Sequence, residues 1–247
     1  MYLLLSGEGP ADIGSCILIG QNECDGKAFK PGPMAWFVDQ WVENSQGFEL
    51  SHIETELVRF VSKQALVAHV KANGKGSFKL PGKKRSLETS YYYYNARALA
   101  DKALALTEEL EQPVVAVLFR DSDGTASASR GNWQKKVESM KSGFRDAAFD
   151  YGVPMIPKPK SEAWLLCATK EEQPYQHCHL LEDMSGNDRG LNPLKDQLQS
   201  SLEARATASN LADMVRERQI DIRHIDMPSM NAFKESLACA VRLALTT

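Results

Sequence analysis

Val114 to Phe119 is apolar at every position, and this run constrains the fold more than any other stretch of the chain. A strand with one wet face alternates apolar and polar residues, whereas an unbroken apolar strand must be covered on both sides, as in a parallel sheet between helices. Gln112-Pro113 precedes the run and Asp121-Ser122-Asp123-Gly124 follows it, so its limits are well marked. Tyr2 to Ser6 is a second such run, stopped by Gly7-Glu8-Gly9-Pro10, and Val153 to Ile156 is a third. Between and after them the residue pattern predicts helices at Asn95 to Leu110, Trp133 to Phe149 and Ser161 to Ala168, with Ser161 as an N-cap. Strand, helix, strand, helix is the signature of right-handed crossovers, and the fold class is α/β.

The remaining stretches carry weaker signals. Ile13 to Ile19 is apolar and Gly20 to Gly32 polar and glycine-rich, which predicts an irregular connection before a helix at Met34 to Glu43. His52 to Lys71 places Leu57, Val58, Val61, Ala65, Leu66, Ala68 and Val70 roughly on one helical stripe, with Asn73-Gly74 as a stop. A helix is expected there. Gly74 to Ser90 reads as a basic loop running into Tyr91 to Tyr94. Beyond Thr169 the pattern is a polar loop and then helices near Pro193 to Ala204, Asn210 to Arg218 and Met230 to Leu245. The expected organisation is an α/β domain over residues 1–170, with an insertion at about 20–95, and a helical C-terminal appendage over 171–247.

With 29 Lys and Arg against 32 Asp and Glu, the formal net charge is -3, so no global positive field exists to hold a polyanion. A local patch or a metal must do so. The five cysteines are odd in number, scattered and never in a Cys-x-x-Cys pair, which argues against a disulfide framework and for a reducing cytosol. The N-terminus lacks the basic and long apolar segments of a signal peptide, and no run reaches the roughly 18 apolar residues of a membrane span, so a cytoplasmic protein is expected. His177-Cys178-His179 is too tight a triplet to close a zinc site by itself, and no Gly-Lys-Ser/Thr follows Gly7 and Gly9, so neither zinc nor ATP hydrolysis is expected.

The chemistry concentrates in two loops. Glu8 and Asp12 follow the first strand, and Asp121 and Asp123 follow the central one; in a parallel sheet both loops lie at the carboxyl edge, where ligand sites of open sheets form. Carboxylates meeting there repel one another unless a divalent cation neutralises them, and oxygen-only ligands suit Mg²⁺ or Mn²⁺. Taken alone, Asp-Ser-Asp-Gly is also an ordinary turn whose aspartates bond their own backbone. Lys79, Lys83, Lys84 and Arg85 beside the tyrosine run make either a nucleic-acid contact or a solvated loop.

Together, Gly7-Glu8-Gly9-Pro10-Ala11-Asp12 and Asp121-Ser122-Asp123-Gly124 resemble the TOPRIM domain of topoisomerases, primases and related nucleases. The Glu8-x-x-x-Asp12 spacing is similar to that of overcoming-lysogenization-defect nucleases. Lys160-Ser161-Glu162-Ala163-Trp164-Leu165-Leu166 resembles a segment of small stand-alone TOPRIM-like proteins found near phage-defence genes. The resemblance spans roughly residues 1–170. It implies a mainly parallel four-stranded sheet between helices, with Glu8 as metal ligand or general base and Asp12, Asp121, Asp123 and Glu162 as metal ligands. Ser161 and a lysine, Lys160 or else Lys158, would complete a two-metal site. More than 100 residues separate Glu8 from Asp121, longer than a minimal TOPRIM core needs, hence the expected insertion. The activity implied is metal-dependent cleavage of DNA or RNA, in anti-phage defence. The alternatives are a non-catalytic subunit that docks on an ATPase partner, or a phosphohydrolase of small nucleotides.

Overall fold

The computed structural model describes residues 1–73, 87–122, 132–202 and 207–246, and of Leu87 and Glu88 only the backbone. Lys79, Lys83, Lys84, Arg85 and Asp123 therefore lie outside the described residues.

The core of the fold is a five-stranded sheet. Its centre is β1 (Tyr2–Gly7), which pairs in parallel with β5 (Val58–Ser62) on one side and β6 (Val114–Phe119) on the other. Next to β6 lies β7 (Gly152–Met155), also parallel, and the opposite edge is the short antiparallel β3 (Glu23–Asp25). The sheet is thus mostly parallel, but with five strands rather than four. The extra edge strand arises inside the glycine-rich stretch for which only irregular backbone was expected. A separate two-stranded ribbon pairs β2 (Gly14–Cys16), from the apolar run Ile13 to Ile19, with β4 (Phe29–Pro31), from the glycine-rich stretch.

Alternation along the central strands divides the core in two. Leu3, Leu5, Val115, Val117 and Phe119 face one side, where α1 (Pro33–Gln46), α5 (Ser161–Thr169), α6 (Leu194–Ser201), α7 (Ala208–Arg216) and α8 (Pro228–Thr246) supply Phe37, Trp164, Leu198, Val215 and Phe233. Tyr2, Leu4, Val114, Ala116 and Leu118 face the other, against α2 (Lys63–Ala72), α3 (Leu87–Leu110) and α4 (Asn132–Arg145). Each such core side chain withdrawn from water contributes about 1.5–3 kcal/mol, so both layers are needed for stability. The C-terminal helices share the first cluster: α7 and α8 pack on α1, and α8 also meets β7. Tight approach between α3 and α4 depends on Gly143, where a Cβ would stand 2.4 Å from the Tyr93 carbonyl oxygen.

Three expectations are corrected here. The single helix expected over His52 to Lys71 is strand β5 followed by α2. Val58, Phe60 and Val61 are buried in the sheet, and Ser62 then caps the helix, its hydroxyl accepting from the Ala65 amide at 3.2 Å. Tyr91 to Tyr94 do not end a loop; they lie in the first half of α3. The cysteines do form disulfides, Cys16 with Cys24 and Cys167 with Cys178, leaving Cys239 free and exposed. The partners are 8 and 11 residues apart, and it is the fold of β2–β3 and of the segment after α5 that brings them together. Among the described residues no helix is long and apolar enough to cross a membrane.

Candidate active site at the carboxyl edge of the sheet

Register sets the site. Gly7 of β1 stands opposite Ser62 of β5 and Phe119 of β6, so the next residues, Glu8, Lys63 and Arg120, form a row where three parallel strands end. Glu8 Oε2 accepts from Lys63 Nζ at 2.9 Å and from Arg120 Nη2 at 3.0 Å. Neither cation stood out in the sequence, although both directly follow strand ends; Lys63 was hidden by reading β5 as helix.

The loop after β1 then turns tightly. The Asp12 amide donates to the Gly9 carbonyl at 3.0 Å, and Gly9 has φ +84°. A Cβ there would fall 2.2 Å from Asp12 Oδ2, so glycine is required both for the backbone and for the aspartate's position. Asp12 thereby reaches α5, where the Ser161 hydroxyl donates to Asp12 Oδ1 at 2.6 Å and the Ser161 amide donates to Asp121 Oδ1 at 2.9 Å. One serine thus joins the two acidic loops. Ser161 is the first residue of α5 and Lys160 occupies the cap position, one residue earlier than expected, so the hydroxyl serves the aspartate and not its own helix end. Glu162 Oε2 lies 3.4 Å from the same hydroxyl.

The electrostatics follow from that crowding. Burial pushes the Asp12 carboxyl up to about 6, with the charges of Glu162 and Glu8 adding to the shift and the Ser161 hydrogen bond and Lys160 opposing it. Such a group can hold a cation or take a proton near neutral pH. Lys160 Nζ itself donates to Asp188 Oδ1 at 2.6 Å, while Lys158 lies 3.8 Å from Glu182. Of the expected residues, Ser161 contacts Asp12, Asp121 and Glu162, whereas Glu8 contacts Lys63 and Arg120 and reaches Asp12 only through its charge. Among the described residues, no group of three His, Cys, Asp or Glu side chains is close enough to hold a metal ion. Cys178, bound to Cys167, is not available as a thiolate.

The Asp121–Ser122 turn is fastened from behind. Tyr92 Oη donates to the Asp121 carbonyl at 2.8 Å, and Lys136 Nζ donates to the Ser122 carbonyl at 2.6 Å. Lys136 is only 1% exposed, so its ammonium is committed to this turn and its neighbours and not to solvent. Set beside known proteins, the chain matches no family model, no curated protein and no solved structure.

Proposed function

We propose that the chain is a Mg²⁺- or Mn²⁺-dependent phosphodiesterase of the TOPRIM type that cleaves DNA or RNA. Asp12 and Asp121 would hold the ion, joined by Glu8, Glu162 and Asp123. The observation that carries the reading is the bridge through Ser161, which ties carboxylates of two distant loops to one residue at the ends of β1 and β6. The donor set would consist of carboxylate oxygens, which suits a hard divalent ion; Asp12 has Glu162 and Glu8 as well as Lys160 near it, and the acids would have to draw closer together round the ion than they stand here. A divalent ion held there would supply an activated water and charge neutralisation at the leaving oxygen. The protein's own part is to position: Gly9 sets the Asp12 turn, Tyr92 and Lys136 fix the Asp121 turn, and Ser161 locks the two together.

The test is cleavage of single- and double-stranded DNA and RNA in Mg²⁺ or Mn²⁺. Wild-type activity that EDTA removes and that Asp121→Asn and Glu8→Gln both lose, with unchanged circular dichroism, supports the reading. Cleavage persisting in both variants rejects it. A second reading, a non-catalytic TOPRIM-like subunit on an ATPase partner, is favoured by the exposed Leu180, Leu191, Leu243 and Leu245 of the C-terminal third. It predicts stable co-purification with an ATPase and an isolated chain inert on every nucleic acid.

A further inference from the structure

We infer that Arg120 and Lys63 form a phosphate-binding pair that grips a phosphodiester of a nucleic-acid strand next to the acidic loops. The inference rests on the phosphodiesterase reading for its choice of ligand, but its evidence is separate.

Charge balance comes first. Two cations converge on one carboxylate, Glu8, at 2.9 and 3.0 Å, so the row at the strand ends carries a surplus positive charge. Neutralising Glu8 takes only one of them. Lys63 is moreover the first residue of α2, at the positive end of the helix dipole, where a cation is disfavoured and an anion is attracted. A lysine at that position is at odds with local helix preference, and an incoming phosphate would reconcile the two. Arg120 is held in place for the same task. Its guanidinium stacks on the Tyr91 ring with 3.9 Å to the centroid and lies 5.1 Å from that of Tyr92. Lys63 Nζ is 5.5 Å from the same Tyr91 ring. A guanidinium held over an aromatic ring has lost much of its rotamer freedom, so part of the entropy of ordering it is already spent before a ligand arrives.

The donors are also open. Arg120 Nε is buried and has no hydrogen-bond partner among the described residues, and the arginine fork matches the bidentate geometry of phosphate oxygens. The side chain is 14% exposed and that of Lys63 is 41% exposed, so Lys63 is reached directly from solvent and Arg120 only in part. Glu8 is the internal competitor. It occupies the cations when no strand is bound, and it sits on the loop that continues to Asp12, so the pair lies beside the acidic loop and not at a remote patch.

The experiment is fluorescence anisotropy of a 5′-labelled 20-nucleotide single strand, DNA in one arm and RNA in the other, in EDTA to stop cleavage and across roughly 50–200 mM salt. Wild-type protein is expected to bind, with inorganic phosphate or a nucleoside monophosphate competing only weakly. Arg120→Ala and Lys63→Ala are each expected to weaken binding about tenfold and to reduce the slope of log affinity against log salt by about 0.7. Arg120→Lys should keep the salt slope while losing part of the affinity, which separates lost charge from lost folding. Glu8→Gln should bind several-fold more tightly, because the competitor is gone. Unchanged affinity and slope in both alanine variants, or failure of the wild-type chain to bind either strand, overturns the assignment. Displacement by phosphate as effective as by an oligonucleotide shows a free-phosphate site and overturns the strand. Binding that behaves as described beside absent metal-dependent cleavage leaves the phosphate pair standing and removes only the hydrolase.

Discussion

Asp12 and Asp39 are both carried to about 6 by burial, yet the chain treats them in opposite ways. Asp39, in α1, is boxed in by donors: the Ser51 hydroxyl at 2.5 Å, the His52 amide at 2.8 Å and the Ile53 amide at 3.3 Å. Asp12 has one donor among the described residues, the Ser161 hydroxyl, and Glu162 and Glu8 raise its pKa further. Burial of a carboxylate is costly, and fixed hydrogen bonds recover much of that cost. Where they are supplied, as at Asp39, the acid staples α1 to the segment before β5. Where acids stand in place of donors, as at Asp12, much of that cost is left unrecovered, and the proposed cation would offset it.

The largest expected effect separates the two on activity. Asp12→Asn should lower metal-dependent cleavage by roughly 100-fold or more, whereas Asp39→Asn, assayed below its unfolding range, should stay within a few-fold of wild type. Equal losses in initial-rate assays would erase the contrast. Stability should rank them in reverse. An amide in place of the Asp39 carboxylate would offer one acceptor oxygen where two carboxylate oxygens now meet three donors, so Asp39→Asn should cost about 1–3 kcal/mol in urea unfolding. Asp12→Asn should be neutral or stabilising at pH 7.5, since the Ser161 hydroxyl can turn and accept from the new amide.

The pH dependence sharpens the point. Asp12 titrates near 6 in the folded chain against an ordinary value of 3.8, so between those limits the native state holds the extra proton. Its unfavourable contribution is full above about 6 and fades as pH falls toward 3.8. Urea midpoints of wild type and Asp12→Asn should therefore lie furthest apart near pH 7.5 and converge by about pH 4. His52 moves the other way: burial lowers its pKa from 6.5 to about 4, so the stability that depends on its neutral form is lost as pH falls through that window, in both proteins alike. A gap between the two proteins that is constant with pH would contradict the Asp12 assignment. The smallest effect concerns the serines. Ser51→Ala should cost about 1 kcal/mol, while Ser161→Ala should be seen mainly as a further rise of the Asp12 pKa in carboxyl NMR titration, because its hydrogen bond is what holds that value down.

Most of the sheet was legible because β1, β6 and β7 are apolar on both faces, a pattern that a buried parallel strand produces without help from distant residues. β5 was not, because its apolar positions together with those of α2 fall on a passable helical stripe; Ser62, a good N-cap before Lys63, was the overlooked signal. The acidic loops were legible from Glu8, Asp12 and Asp121 next to strand ends, and Glu162 from its motif. Their cationic neighbours were not, since Lys63 and Arg120 reach Glu8 only through the register of three strands. The disulfides likewise depend on loop paths that spacing does not encode, and Ser161 turned out to bind a distant aspartate where local rules suggested a cap.

The central claim is that Asp12 and Asp121 share one divalent ion, and the most direct measurement is a Mn²⁺ anomalous difference map from crystals grown near pH 7.5. A peak within about 2.0–2.4 Å of oxygens from both carboxylates, absent from Asp12→Asn crystals, is the predicted result. Crystals that diffract well but show no peak between the β1 and β6 loops at millimolar Mn²⁺, or one that Asp12→Asn leaves in place, would contradict it.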